Sequence, residues 1–126
     1  MDNYNKSLGK LGEDIVAQML IKKGCKIIDR NFKRGGGEID IIAEKGETVI
    51  FVEVKTRSPE AVEKYGEGVT AISPTKMKRI IKTASKWMYI KNCELQARFD
   101  IAELVIKNKK LTYFEYIADA FTLDNI

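Results

Sequence analysis

Histidine is missing from this chain of 126 residues. That excludes Ser-His-Asp and Cys-His catalysis, histidine-ligated metals and a histidine general base. Cysteine is scarce: Cys25 and Cys93 lack metal-ligand spacing, and two such thiols are expected to be reduced in a cytoplasmic protein. No apolar run approaches the ~20 residues of a membrane-spanning helix. The start, Met1-Asp2-Asn3-Tyr4-Asn5, has no basic region followed by an apolar one, so no signal peptide is expected. Repeats, low-complexity tracts and linkers are also lacking.

What remains has the composition of a folded domain, 44% hydrophobic and 32% charged, and residues 1–126 suffice for one core without staples. A net charge of +4 and a pI near 9.0 favour a polyanionic partner mildly. A protein that merely happens to be basic fits the charge equally well.

The most informative stretch is Gly35 to Ala43 followed by Glu47 to Arg57. Two Ile- and Val-rich runs flank Lys45-Gly46, which reads as a β-hairpin. Pairing Ala43 with Thr48 puts Asp40 opposite Phe51 and Glu38 opposite Glu53. Side chains alternate along a strand, so Glu38, Asp40 and Ile42 share a face with Phe51, Glu53 and Lys55. Asp40 and Glu53 become diagonal neighbours at roughly 7–8 Å. Val49 to Val54 is apolar except at Glu53, where a lone carboxylate is costly without a partner.

Facing carboxylates destabilise a sheet unless something neutralises them, and a cation does so. An all-oxygen cluster suits Mg2+ or Mn2+. Lys55 then stands beside the ion, able to hold an attacking water or to stabilise charge developing on a phosphate. The plain alternative is a sheet edge where Asp40, Glu53 and Lys55 form an exposed ion pair worth little.

Ile39-Asp40 followed by Glu53-Val54-Lys55 resembles the PD-(D/E)xK signature of restriction-endonuclease-like nucleases, with Ile39 in place of the proline. Gly9 to Glu13 with Ala17, Gly36 to Asp40, Phe51 to Lys55 with Arg57, then Lys76, Arg98-Phe99-Asp100 and Asp119-Ala120-Phe121 occur in order. Together they resemble the bacterial YraN family across nearly the whole chain. The resemblance implies a restriction-endonuclease-like fold related to that of Holliday-junction resolvases. It also implies a role for Glu13, matching the first-helix glutamate that completes the acidic cluster in those enzymes. Without it, Glu13 reads as an ordinary solvated side chain.

Along the chain, about Lys6 to Lys23 reads as an amphipathic helix with a stripe of Leu8, Leu11, Ile15 and Met19, widened by Val16 and Leu20. Gly9 and Gly12 weaken it and would permit close backbone packing. Cys25 to Phe32 suits a first strand. The glycine run after it reads either as a turn or as backbone open to a phosphate. Thr56 to Ser73 reads as a long loop beside the site. Ser73-Pro74 caps a second helix reaching Tyr89 or Lys91, with Met77, Ile80, Ile81, Ala84 and Met88 buried and Trp87 marginal. From Lys76 to Lys91 that helix carries six bases and no acid, which suits phosphate contact through Lys76 and Arg79, with Arg57 nearby. Its Tyr and Trp read as core. Glu94 to Lys107 and Leu111 to Ile117 read as a strand pair, with Arg98 and Asp100 as mutual ion partners and Phe121 docked on the core.

The expected architecture is an α/β domain, a mixed sheet flanked by helices in the order α-β-β-β-α-β-β. The expected function is a metal-dependent nuclease acting on structured or branched DNA rather than RNA, with Asp40, Glu53 and Lys55 catalytic and Asp40, Glu53 and Glu13 holding Mg2+ or Mn2+. Cutting two strands would suit a homodimer. The alternatives are a nucleic-acid-binding module that does not cut, and an assembly protein whose acids form a structural ion site.

Overall fold

A computed structural model describes residues 2–65 and 72–126. The elements are α1 (Asp2–Lys22), β1 (Lys26–Arg34), β2 (Gly37–Lys45), β3 (Thr48–Arg57), α2 (Pro59–Tyr65), α3 (Pro74–Ile90), β4 (Gln96–Lys107), β5 (Lys110–Ile117) and a 3-10 turn at Leu123–Asn125. The sheet runs β1-β2-β3-β4-β5, with β3 and β4 parallel and the other neighbours antiparallel. It is therefore the mixed sheet expected, and the order differs from expectation only by α2.

The sheet buries both faces. On one, Ile42, Val49, Phe51, Phe99 and Ile101 pack against Ile80, Ile81, Ala84 and Trp87 of α3. Phe51 meets Trp87 edge-on at 5.8 Å and stacks on Phe99 at 5.5 Å, and Phe99 stacks on Phe121 at 5.3 Å. On the other, Ile41, Ala43, Ile50, Val52, Ala102 and Leu104 pack against Val16, Ala17 and Leu20 of α1. Period-2 alternation along β3 separates these two sets, while in β2 it breaks between Ile39, which joins Ile42 on the α3 side, and Ile41 on the α1 side.

Three tight turns set the registers. Gly35 and Gly36 both have positive φ and join Arg34 to Gly37, as a type I′ turn requires. The glycine run is thus a turn. Asn108 and Lys109, also at positive φ, join β4 to β5. Between β2 and β3, Lys45 pairs with Thr48 across Gly46-Glu47. The expected Ala43–Thr48 pairing is therefore wrong by two residues: Ala43 pairs with Ile50 and Ile42 with Phe51. Glu44 and Lys45 extend the strand instead of widening the turn. A slip of two keeps every side chain on its face in a regular strand. Strand β2 is not regular: Gly37, Ile39 and Ile42 face α3 while Ile41 and Ala43 face α1. Alternation breaks at Asp40, so the shared-face argument does not carry over to it.

Other expectations also shift. Gly12, Val16, Ala17 and Leu20 form the inward row of α1, while Ile15 and Met19 are only partly buried. A Cβ on Gly12 would lie 1.8 Å from Thr56 Oγ1, so the helix seats on β3 through its smallest residue. Gly9 has no such neighbour among the described residues. Trp87 is core, not margin, and donates Nε1–H to Asp29 Oδ2 at 3.2 Å. Tyr89, expected in the core, is 88% exposed.

The expected loop after Lys55 begins as strand and helix. Ser58-Pro59 opens α2, the Ser58 hydroxyl accepting from the Ala61 amide at 3.3 Å. The same Ser-Pro signal opens α3, where Ser73 Oγ accepts from Lys76 N at 3.1 Å. Gly66, Glu67 and Gly68 of that loop lie outside the described residues. At the C-terminus, buried Asp100 accepts from Nε and Nη2 of Arg98, the Tyr116 hydroxyl and the Asp119 amide. The expected Arg98–Asp100 pair is present, and Phe121 is docked at 2% exposure.

Candidate active site

The site arises where two strands part. Pairing of β2 with β3 ends at Ile41↔Val52. Beyond that point β2 continues beside β1 as far as Arg34↔Gly37, and β3 continues beside β4 as far as Arg57↔Val105. The fork leaves the Val54 amide without a partner on the β2 backbone. Asp40 supplies one from its side chain: Val54 N–H donates to Asp40 Oδ2 at 2.7 Å. This bond fixes the Asp40 carboxyl at the fork, beside Glu53.

Asp40 is 9% exposed and Glu53 5% exposed. Two buried acids this close cannot both carry charge cheaply without a counter-ion. Burial, and then the negative charge of Glu53, push the Asp40 pKa up to about 8; the Val54 amide opposes the shift, while a hydrogen bond with Glu53 and the more distant charge of Glu13 add to it. The remaining charge is met by α3. Lys76 Nζ lies 2.6 Å from Glu53 Oε2. An ammonium thus occupies a cation position on one of the two carboxylates.

A cleft of about 320 Å3 opens over this pair, lined by Glu38, Asp40, Glu53, Lys55, Lys76 and Arg79 among others. Gly37 lets β2 enter it beneath α3, since a Cβ there would lie 2.0 Å from Thr83 Oγ1. Lys55 lines the cleft as well, while the ammonium that pairs with Glu53 comes from Lys76. Glu38 does not face Glu53 as expected. It pairs in register with Lys33, whose Nζ lies 3.6 Å from Glu38 Oε2.

Glu13 fits neither expectation. It is not solvated: its side chain is 16% exposed, accepts from Asn31 Nδ2 at 3.0 Å and lies 3.6 Å from Arg30. Nor does it complete an acidic triad, for no group of three metal-ligating side chains forms among the described residues. It stands close enough for its charge to be felt at Asp40.

The model of the Uncharacterised protein family UPF0102 matches residues 12–104. The chain belongs to the UPF0102 family. It is 41% identical over 122 residues to the UPF0102 protein GSU0650 of Geobacter sulfurreducens, covering 96% of this chain and 93% of that one. It is 42% identical over 121 residues to a UPF0102 protein of Dictyoglomus turgidum and 44% identical over 119 to one of Alkaliphilus metalliredigens. In each of these cases at least 93% of both chains is covered. The YraN resemblance read from the motifs is this same family.

Two further features of this UPF0102 chain bear on the site. Arg57, expected to touch phosphate, is 9% exposed and engaged within the protein at the end of β3, so it does not belong to the open basic surface. Glu103, at 1% exposure, is the β4 neighbour of Lys55 in the parallel register. Sequence reasoning passed over it, although the signal that marked Glu53 is present: Glu103 is the only polar residue from Ile101 to Ile106. The Lys76–Glu53 pair had no local signal, because it joins a helix to a strand 23 positions earlier in the chain.

No helix among the described residues is long and apolar enough to cross a membrane.

Proposed function

We propose that this protein is a divalent-metal-dependent nuclease that hydrolyses phosphodiesters, with structured or branched DNA as its substrate. The observation that carries this reading is the buried Asp40–Glu53 pair at the β2–β3 fork, opening onto a cleft with Lys55 and Lys76. Two carboxylates with oxygen donors alone, already drawing an ammonium, fit Mg2+ or Mn2+ better than zinc. When bound, such an ion would polarise a phosphoryl oxygen and activate the attacking water.

The chain's own groups supply the rest. Asp40, held in place by the Val54 amide, would hold the ion in its ionised form. Glu53 would be the second residue to hold the ion, and Lys76, which pairs with Glu53 in its absence, would then be free to take a phosphate oxygen. Lys55 orients the water and offsets charge developing on the scissile group. Glu13 acts from outside this first set, through its charge. Arg79 extends the cationic wall of the cleft along α3. The choice of branched DNA rests on the likeness of the motifs to those of resolvases, and the net charge of +4 agrees with a polyanion.

The test is cleavage of labelled single-stranded, duplex, flap and four-way-junction DNA, and of RNA, in Mg2+, Mn2+ or chelator. Cutting that needs the metal and is lost in Asp40→Asn, Glu53→Gln and Lys55→Ala is expected. Tight binding of these substrates by wild type, with every one left whole in both metals, would replace the enzyme by a non-cutting binding module.

A further inference from the structure

Further along α3 from the cleft, towards the end of the helix, lies a surface that the proposed chemistry does not use. Tyr89 is 88% exposed and Ile90 48% exposed, at the end of the helix. They border a shallow depression of about 530 Å3 with Arg34, Lys82 and Lys86. Lys82, Lys86 and Tyr89 follow one another at spacings of four and three, on one helix face. The β1–β2 turn closes the other side, and a Cβ on Gly35 would lie 2.3 Å from Lys86 Nζ. Cations, an exposed ring and an apolar neighbour therefore share one patch.

We propose that this patch is a subsite for single-stranded DNA, in which Tyr89 stacks on a nucleobase while Arg34, Lys82 and Lys86 hold the flanking phosphates. This inference rests on the nucleic-acid reading above and assigns where the strand leaving the cleft is bound. Charge complementarity selects the occupant: among the described residues, three bases border the depression and no acid does. A buried aromatic would serve the core, but a tyrosine this exposed offers a free ring face, and sequence-tolerant stacking beside a cationic track is how single strands are held. The distance also suits. From Arg79 in the cleft to Tyr89 is ten residues of helix, about 15 Å at 1.5 Å per residue. That spans about four nucleotides at the ~3.4 Å spacing of a stacked strand.

The test is fluorescence anisotropy in chelator, with a labelled 12-nucleotide thymidine strand and an abasic strand of equal length, which keeps the phosphates and lacks the bases. Wild type is expected to prefer the base-bearing strand by about tenfold. Tyr89→Ala should erase that preference and Tyr89→Phe should keep it. Lys82→Ala with Lys86→Ala should weaken both strands alike and lower the salt slope by about 0.7 for each phosphate no longer held. Tyr89 is exposed, so its truncation should leave the melting temperature unchanged. A preference that survives Tyr89→Ala, or wild type binding both strands equally, would overturn the subsite and leave the nucleic-acid reading standing. Wild type binding neither strand nor any duplex or junction would overturn both.

Discussion

Asp40 combines two constraints in one side chain. Its Oδ2 replaces a missing strand-to-strand bond, and its burial beside Glu53 raises its pKa to about 8. The consequence for metal-free protein has a definite sign. An acid whose folded pKa lies above its unfolded value of 3.8 contributes stability that is fully present below about pH 4 and is lost as pH rises through about 8. Metal-free wild type should therefore melt progressively lower between pH 4 and pH 8. Asp40→Asn, neutral throughout and still able to accept from Val54, should flatten that fall; equal slopes by calorimetry would show that Asp40 does not carry the proton. Glu53 was legible in the sequence because a carboxylate inside Val49–Val54 demands a partner. The identity of that partner was not, since Lys76 arrives through tertiary packing. Glu103 shows the same argument left unused.

At the scale of elements, the faces of β3 were more legible than the registers, the faces of β2 or the helix faces. Alternation placed Glu53 on the Val49 and Phe51 side of β3, but in β2 it breaks between Ile39 and Ile42, at Asp40 itself, and the side-chain pattern carries no mark of that break. The turn geometry that sets register depends on whether Glu44 and Lys45 belong to strand or turn, which their side chains do not decide. In α1 the large apolar residues suggested one stripe, yet packing centres on the row of Gly12, Val16 and Leu20, because the closest approach goes to the residue with no side chain. A paired substitution checks this. Gly12→Ala gains roughly 1 kcal/mol of helix propensity but drives a Cβ into β-branched Thr56, where overpacking costs about 1–3 kcal/mol, so the net should be a loss. Gly9→Ala meets nothing within 4 Å and should stabilise by up to about 1 kcal/mol. Denaturant unfolding of both variants measures the difference; a stabilised Gly12→Ala would mean that α1 does not seat on Thr56.

Across the whole molecule, the sheet is covered by α1 on one face and α3 on the other, and the two layers have different tasks. The α1 layer closes the core, while Asp100 ties Tyr116 and the Asp119 backbone to β4 and so anchors the C-terminal segment. The α3 layer closes a second core with Trp87 and Phe51 and delivers Lys76 and Arg79 to the fork. Placing carboxylates where strands diverge lets them be buried without interrupting the ladder that holds the sheet. The central claim is that Asp40 and Glu53 share a divalent cation and that Lys76 stands in for it. Titration of Mn2+ followed by electron paramagnetic resonance tests this directly. One site is expected in wild type, lost in Asp40→Asn and in Glu53→Gln, and tightened in Lys76→Gln, which removes the competing ammonium. Mn2+ binding with the same stoichiometry and affinity in all four proteins would contradict the account.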